Sequence, residues 1–452
     1  MLSLNKIFTR LKKNRSSKNS HSDSQKGGPL IIARPDHNIS RKHISSAALK
    51  VLYGLKDAGF DAYLVGGCVR DLLLGYEPKD FDVATNASPE QVHKVFRRSR
   101  LIGRRFKLVH VRYGREVIEV ATFRAPPEIE QHIDEQGRIV QDNVFGTLEQ
   151  DAWRRDFTIN ALYYNIRDFS IVDFTGGLAD LKAKNIRLIG HVETRYREDP
   201  VRMLRALRFV GKLDLELDDE TERWIPKLAH LLADIPAARL FDETLKLYLS
   251  GDAAVTHELL VDYGVFDILF PQAAALMDED EDDVHTLLTK ALENTDQRID
   301  EGKPVTPAFL FAALLWEPVN QLWQHYQAKN ISVIPALQKA AAEVLAEQVQ
   351  RVAIPKRYSI VSKDIWVLQP RLTMRQGKRA IRLVQHPKFR AGYDFLLLRS
   401  ETGEPLTELA EWWTAFQVVA EDEQQKMVQA LPATGRKPRR RRRGKKPVAK
   451  SE

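Results

Sequence analysis

The stretch LVGGCVRDLLLGYEPKDFDVAT, Leu64 to Thr85, decides how this chain folds. It reads as a short apolar strand, two glycines, a short helix closed by Gly75, and a second strand carrying two aspartates. Side chains alternate along a strand, so Asp80 and Asp82 point to one side while Phe81 and Val83 face a core. Placing two carboxylates this close is costly unless a cation neutralises them. Mg²⁺ suits the task, because it is usually held by one or two carboxylates together with substrate phosphates. The glycine turn supplies the complementary half of such a site. Gly66 and Gly67 let the backbone approach a ligand closely. The helix starting near Cys68 offers free N–H groups and a positive dipole end to phosphate. A D-x-D pair alone is common on surfaces, and a glycine turn alone is an ordinary strand-to-helix connection. Together they place phosphate donors and a metal site on one edge of a small sheet.

Working outward, SAALKVLYGLKDAGF has apolar residues at helical spacing and ends at a glycine. Ser88-Pro89-Glu90-Gln91 is a helix start with a capping box and proline at the first position. FKLVHVRY and EVIEVATFR read as two further strands, so an α/β palm is expected over 43–165. Within the last strand Glu119 is polar in an apolar run. It is either a third metal carboxylate or a structural partner of an arginine. Asp156, in WRRDFTINAL, is the other candidate, and Arg154 and Arg155 beside it suit bidentate contact with phosphate. Residues 125–150 read as a loop, and the pattern from Asp151 onward as helical. MDEDEDD, 277–283, reads as an acidic linker.

Composition sets the wider frame. The 452 residues are 43% hydrophobic, ordinary for a soluble protein of more than one domain. No apolar run is long enough to span a bilayer and no secretory signal is visible. Cys68 is the single cysteine, which excludes a disulfide framework and fits a reducing, cytoplasmic setting. Positive charge is concentrated. Residues 436–452 carry +9, residues 1–20 carry +6 and residues 351–390 carry +10, so the remainder of this +8 chain stands at −17. Such patches on an otherwise acidic protein are the footprint of a polyanion binder. Residues 1–42 read as a poorly ordered basic extension. In it Leu4, Ile7, Phe8 and Leu11 have the spacing of a short amphipathic helix that would suit a membrane surface or a partner. Residues 431–452 read as a disordered Arg/Lys-rich tail.

LVGGCVRDLLLG, DFDVAT, EVATFR, RRDFTINAL and REDPVRMLRALRF, in this order and spacing, resemble the class II nucleotidyltransferases. These comprise the bacterial tRNA CCA-adding enzymes and poly(A) polymerases, and the resemblance covers about residues 60–250. It implies an α+β fold: a DNA-polymerase-beta-like palm or head, then an all-helical neck over 166–255 and body over 256–430, with a tail. It implies that Asp80 and Asp82 hold two Mg²⁺ ions, with Glu119 or Asp156 as the third carboxylate, and that ATP is the substrate. Gly66, Gly67 and Arg70 would lie by the triphosphate, with Arg154, Arg155 and Asn160 at the ribose and phosphates. Asp199 and Arg202, in E-D-x-x-R, would read the base; as helix neighbours three apart they share a face. The reaction implied is in-line attack by an RNA 3′-hydroxyl with loss of pyrophosphate.

Within this family LIGRRFKLVHV, residues 101–111, is similar to a signature of the poly(A) polymerase branch. The chain length and the basic tail agree, because sequence-independent phosphate contacts serve a polymerase acting on varied RNA ends. CCA addition to tRNA is the alternative, and a non-catalytic RNA-binding protein with a vestigial palm is a weaker one. Arg371, Arg375, Lys378, Arg379 and Arg382 are expected to track the RNA backbone. Trp366, Phe389 and Tyr393 lie among them as base-stacking candidates, each of which also suits a core. RNA 3′ ends, ATP and RNA-decay proteins are the expected partners.

Overall fold

A computed structural model describes residues 28–103, 107–125, 144–277 and 286–432. The N-terminal amphipathic segment, the arginine-rich tail beyond 432, most of the 125–150 loop and nearly all of the acidic linker lie outside these residues.

One eight-stranded sheet builds the palm. Its strands are β1 (Leu30–Ile32), β2 (Ala62–Val65), β3 (Asp82–Thr85), β4 (Ser99–Ile102), β5 (Leu108–Tyr113), β6 (Glu116–Thr122), β7 (Leu162–Asn165) and β8 (Ile171–Asp173). Their spatial order is β1-β8-β7-β2-β3-β6-β5-β4. Every neighbouring pair is antiparallel except β3 with β6, which run parallel. The two aspartates therefore sit in mid-sheet, not at an outer edge.

The apolar alternation assigns the faces. Leu64, Val83, Val109, Val111, Ile118 and Val120 are buried together with residues of the helices Ser46–Asp57, Gly67–Leu74 and Pro89–Val95. The opposite face carries a smaller apolar cluster of Val65, Ala84, Phe123, Ala152, Tyr163 and Val172. Asp82 and Glu119 occupy that second face beyond the cluster's rim. The capping box at Ser88 forms as the sequence predicts, and Gly75 ends its helix at φ 83°.

Two expectations are corrected. The fold does not begin near His43, because β1 pairs with β8 and ties residues 30–32 into the palm. Nor is the chain helical from Asp151. LYYN and IVD form β7 and β8, so the sheet extends to Asp173 and past the expected boundary at 165. These strands were hidden because both read as short apolar runs, which suit a buried helix equally well.

After the sheet the chain is almost wholly helical. The helix Val201–Leu213 packs against the palm. Later helices bury Trp316, Trp366, Phe311 and Phe395 in one continuous core. A separate C-terminal cluster contains Phe389, Tyr393, Trp413 and Phe416. No helix among the described residues is long and apolar enough to cross a membrane.

Candidate active site

Gly66 places the first part of the site. Its φ of 80° and ψ of −140° lie where a side chain is strained, and a Cβ there would meet Arg155 Nη1 at 3.6 Å. The glycine thus turns the chain into the helix Gly67–Leu74 while letting a guanidinium lie against its backbone. Arg155 is fixed from behind. Its Nε donates to Tyr163 Oη at 2.8 Å, and its Nη2 contacts Asp151 Oδ2 at 3.0 Å. Burial disfavours its charge, but Tyr163 and Asp151 outweigh this and hold it protonated.

The carboxylates come together through the sheet register. Asp82 pairs with Glu119 across the parallel β3–β6 ladder, so both side chains rise from the same face. Glu119 in turn lies opposite His110, whose Nε2 is 3.2 Å from Glu119 Oε1. Protein atoms pack around the Asp82 carboxylate and strip part of its water, although its outer edge stays open to solvent. This loss of water, with repulsion from Glu119 and Asp80, pushes its carboxyl up to about 6 against the pull of Arg155. Asp80 is exposed just before the strand. Among the described residues no three His, Cys, Asp or Glu side chains close around a metal by themselves. The pairing of Asp82 with Glu119 on one face is the observation that fits a bound cation, since a positive charge there would relieve the repulsion that raises the Asp82 carboxyl.

Asp156 is turned elsewhere. It accepts from Arg205 Nε at 2.7 Å, from the Phe157 N–H at 2.8 Å and from Asn160 Nδ2 at 3.2 Å. Although it is half-buried, Arg205 holds its carboxyl well below the usual range. Arg70 lies against the glycine turn, where a Cβ at Gly67 would meet its Nη2 at 3.5 Å. It is buried, with Nη1 donating to Asn160 Oδ1 at 2.7 Å and Nη2 to Asp71 at 2.7 Å. Arg70, Asn160, Asp156 and Arg205 thus form one chain of bonds joining the glycine-turn helix to the helix Val201–Leu213. Sequence reading missed Arg205, although Arg202, Arg205 and Arg208 recur every three residues along one face.

Asp199 and Arg202 are near each other but not on one helix. Asp199 ends the helix Val192–Glu198 with φ −149°, and Pro200 starts the next. Asp199 Oδ2 pairs with Arg239 at 2.8 Å, while its buried Oδ1 accepts no hydrogen bond from the described residues. Arg202 donates to Glu198 Oε2 at 3.1 Å and to the Arg195 carbonyl. Arg195 bridges the two motifs, because its Nη2 also donates to the Arg154 and Arg155 carbonyls at 2.7 and 2.6 Å. Burial, with Arg124, Arg155, Arg195 and Arg202 close by, pulls Arg154 down to about 9. Such a crowd of guanidiniums is a setting for a polyanion.

In the basic segment Lys378, Arg379 and Arg382 are exposed on the helix Lys378–Val384. Arg371 is half-buried, and Arg375 is drawn back into the fold by Glu408 at 3.3 Å and the Trp412 ring. Trp366, Phe389 and Tyr393 are buried, which removes them as stacking platforms. The Cys68 thiol is buried, donates to the Val65 carbonyl and is pushed up to about 12 by burial, so it takes no part.

A glycine turn against a helix N-terminus, carboxylates paired across the two neighbouring strands β3 and β6 and an arginine cluster behind them define a nucleotidyltransferase. A solved CCA-adding enzyme of Bacillus stearothermophilus in complex with CTP shares the fold, at TM-score 0.55 and 26% identity over 86% of this chain and 88% of that one. Family models match as the poly A polymerase head domain over residues 62–187, a probable RNA and SrmB- binding site of polymerase A over 214–277, and the polymerase A arginine-rich C-terminus over 329–447. Poly(A) polymerase I of Salmonella typhi is 49% identical over 432 residues, 93% of each chain. A CCA-adding enzyme of Lactobacillus delbrueckii subsp. bulgaricus is 40% identical over only 48% of this chain. The chain belongs to the poly(A) polymerase family and is a polynucleotide adenylyltransferase.

Proposed function

We propose that the chain divides the addition of AMP from ATP to an RNA 3′ end among these residues as follows. Asp80, Asp82 and Glu119 hold the divalent cations, for which Mg²⁺ is the natural choice. Once bound, the cations neutralise triphosphate charge and acidify the attacking hydroxyl. Gly66, Gly67 and the following helix N-terminus accept the triphosphate, with Arg155 and Arg154 supplying positive charge. Asp199 would accept from the adenine amino group and Arg202 would donate to the ring; the buried Asp199 Oδ1, which has no hydrogen-bond partner among the described residues, supports this role. Asp156 braces Arg205 and the palm–neck contact and does not bind metal. Lys378, Arg379 and Arg382, with the tail, give RNA affinity without sequence choice. We assign the activity to the cytoplasm.

The observation that carries this reading is the Asp82–Glu119 pairing beside Arg155 and Gly66. The test uses full-length protein, Mg²⁺, an unstructured RNA and each nucleoside triphosphate in turn. ATP alone should give long extension. Addition of a defined C-C-A to tRNA lacking its end would move the chain to the CCA branch. Asp80→Ala, Asp82→Ala and Glu119→Ala should each abolish extension in folded protein.

A further inference from the structure

The sheet register carries the site's face outward to a second feature. Val65, Asp82, Glu119, His110 and Arg100 lie in one row, each opposite the next across β2, β3, β6, β5 and β4. Residues paired this way share a face. At the end of the row, β4 and the β5–β6 hairpin enclose a cavity of about 510 Å³. Arg98, Arg100, Arg112 and His110 line it, and among the described residues no carboxylate does. The three arginines are exposed.

Where this cavity lies relative to Asp82 decides what it serves. The glycine turn follows β2, and Arg155 rests on Tyr163 of β7. Both stand on the β2 side of Asp82, so with adenylation at Asp82 the triphosphate and departing pyrophosphate lie there. In-line displacement requires the attacking and leaving oxygens on opposite sides of the phosphorus. The acceptor strand must then come from the β6–β5–β4 side. Neighbouring strands are about 4.8 Å apart, which puts Arg100 about 14 Å from Asp82.

We propose that Arg98, Arg100 and Arg112 form a backbone-phosphate track for the RNA acceptor, engaging nucleotides upstream of the 3′ end. The track rests on the adenylation reading of the Asp82 site. It is sequence-independent, because these guanidiniums meet phosphates and no base-reading set accompanies them. A stacked strand advances about 3.4 Å per nucleotide, so contact begins about four nucleotides from the end, and sooner in an extended strand.

The test compares the full-length chain with Arg100→Ala/Arg112→Ala and Arg100→Lys/Arg112→Lys. Oligoadenylate acceptors of two to ten nucleotides are extended with ATP, and binding of a labelled ten-mer is measured separately by anisotropy. The alanine variant should match wild type on the dinucleotide. It should lose the fall in acceptor KM that wild type shows from about four nucleotides onward. Its ATP KM and its rate at saturating RNA should be unchanged, and the lysine variant should regain most of the difference. Two phosphate contacts contribute about 1.4 to the salt slope, so from 50 to 200 mM salt wild type should lose about sevenfold more affinity than the alanine variant. A raised ATP KM with unchanged RNA binding would make the cavity a triphosphate subsite and overturn the proposal. Unchanged RNA binding and unchanged KM values would make it a solvated face, with the same consequence. If wild type extends no RNA, the adenylation reading fails, while the anisotropy slopes still decide whether the arginines bind it.

Discussion

Replacing Asp82 with asparagine should abolish activity and at the same time stabilise the metal-free protein. The Asp82 carboxyl sits near 6 against an ordinary 3.8, raised by burial and by Glu119 and Asp80. Between those two values the folded state binds more proton than the unfolded one, so stability falls as pH rises through this window. Above pH 6 the penalty is complete. Two pH units correspond to about 3 kcal/mol as an upper bound. Because the outer edge of the carboxylate is open to water, screening reduces this to about 1 kcal/mol. The assay is thermal unfolding of wild type and Asp82→Asn in chelator at pH 7.5 and pH 4. At pH 7.5 the variant should melt higher, by about 2–4 °C for a unit of 150–250 residues. Toward pH 4 the curves should draw together, because the folded-state carboxyl is then protonated and the unfolded one is only partly ionised. Extension of RNA should fall at least about 100-fold, the scale of losing one preorganised electrostatic group. A variant that melts lower at pH 7.5, or that still extends RNA at near wild-type rate, would refute the crowding argument and the metal assignment together.

Asp156→Asn should behave in the opposite way. It leaves Arg205 unpaired at the palm–neck contact and should cost about 3 kcal/mol in denaturant unfolding at pH 7. Since that carboxyl is held low, its stabilisation is full above the ordinary value of 3.8 and fades as pH falls further, so the deficit should shrink in acid. Asp199→Ala and Arg202→Ala should lose ATP selectivity as well as rate; one good bidentate contact supplies about 1–3 kcal/mol, or about 5- to 150-fold, read by competition among the four nucleotides. A chain ending at Thr434 should keep its melting temperature and its rate at saturating RNA. Its RNA affinity should fall at low salt with a shallower slope, by about 0.7 for each phosphate that the tail neutralises, measured across a salt series.

Much of the palm was legible in the sequence, because its signals are local. The turn at Gly66, the capping box at Ser88 and the D-x-D at Asp80 and Asp82 each depend on residues within a few positions. The order of motifs from Leu64 to Phe209 was enough to identify the family. What the sequence left open were pairings between distant residues. The sequence left open whether Glu119, an acid in an apolar strand, or Asp156, an acid beside Arg154 and Arg155, is the third carboxylate. Only the parallel register of β3 with β6 put Glu119 beside Asp82, and only the approach of Arg205, 49 residues away, claimed Asp156. In the same way β7 and β8 are strands because β2 and β1 pair with them. Trp366 and Tyr393 are core because other helices cover them. Local backbone preference and charge spacing are written in neighbouring residues, whereas register, burial and ion-pair choice are properties of surfaces that meet only after the chain has folded.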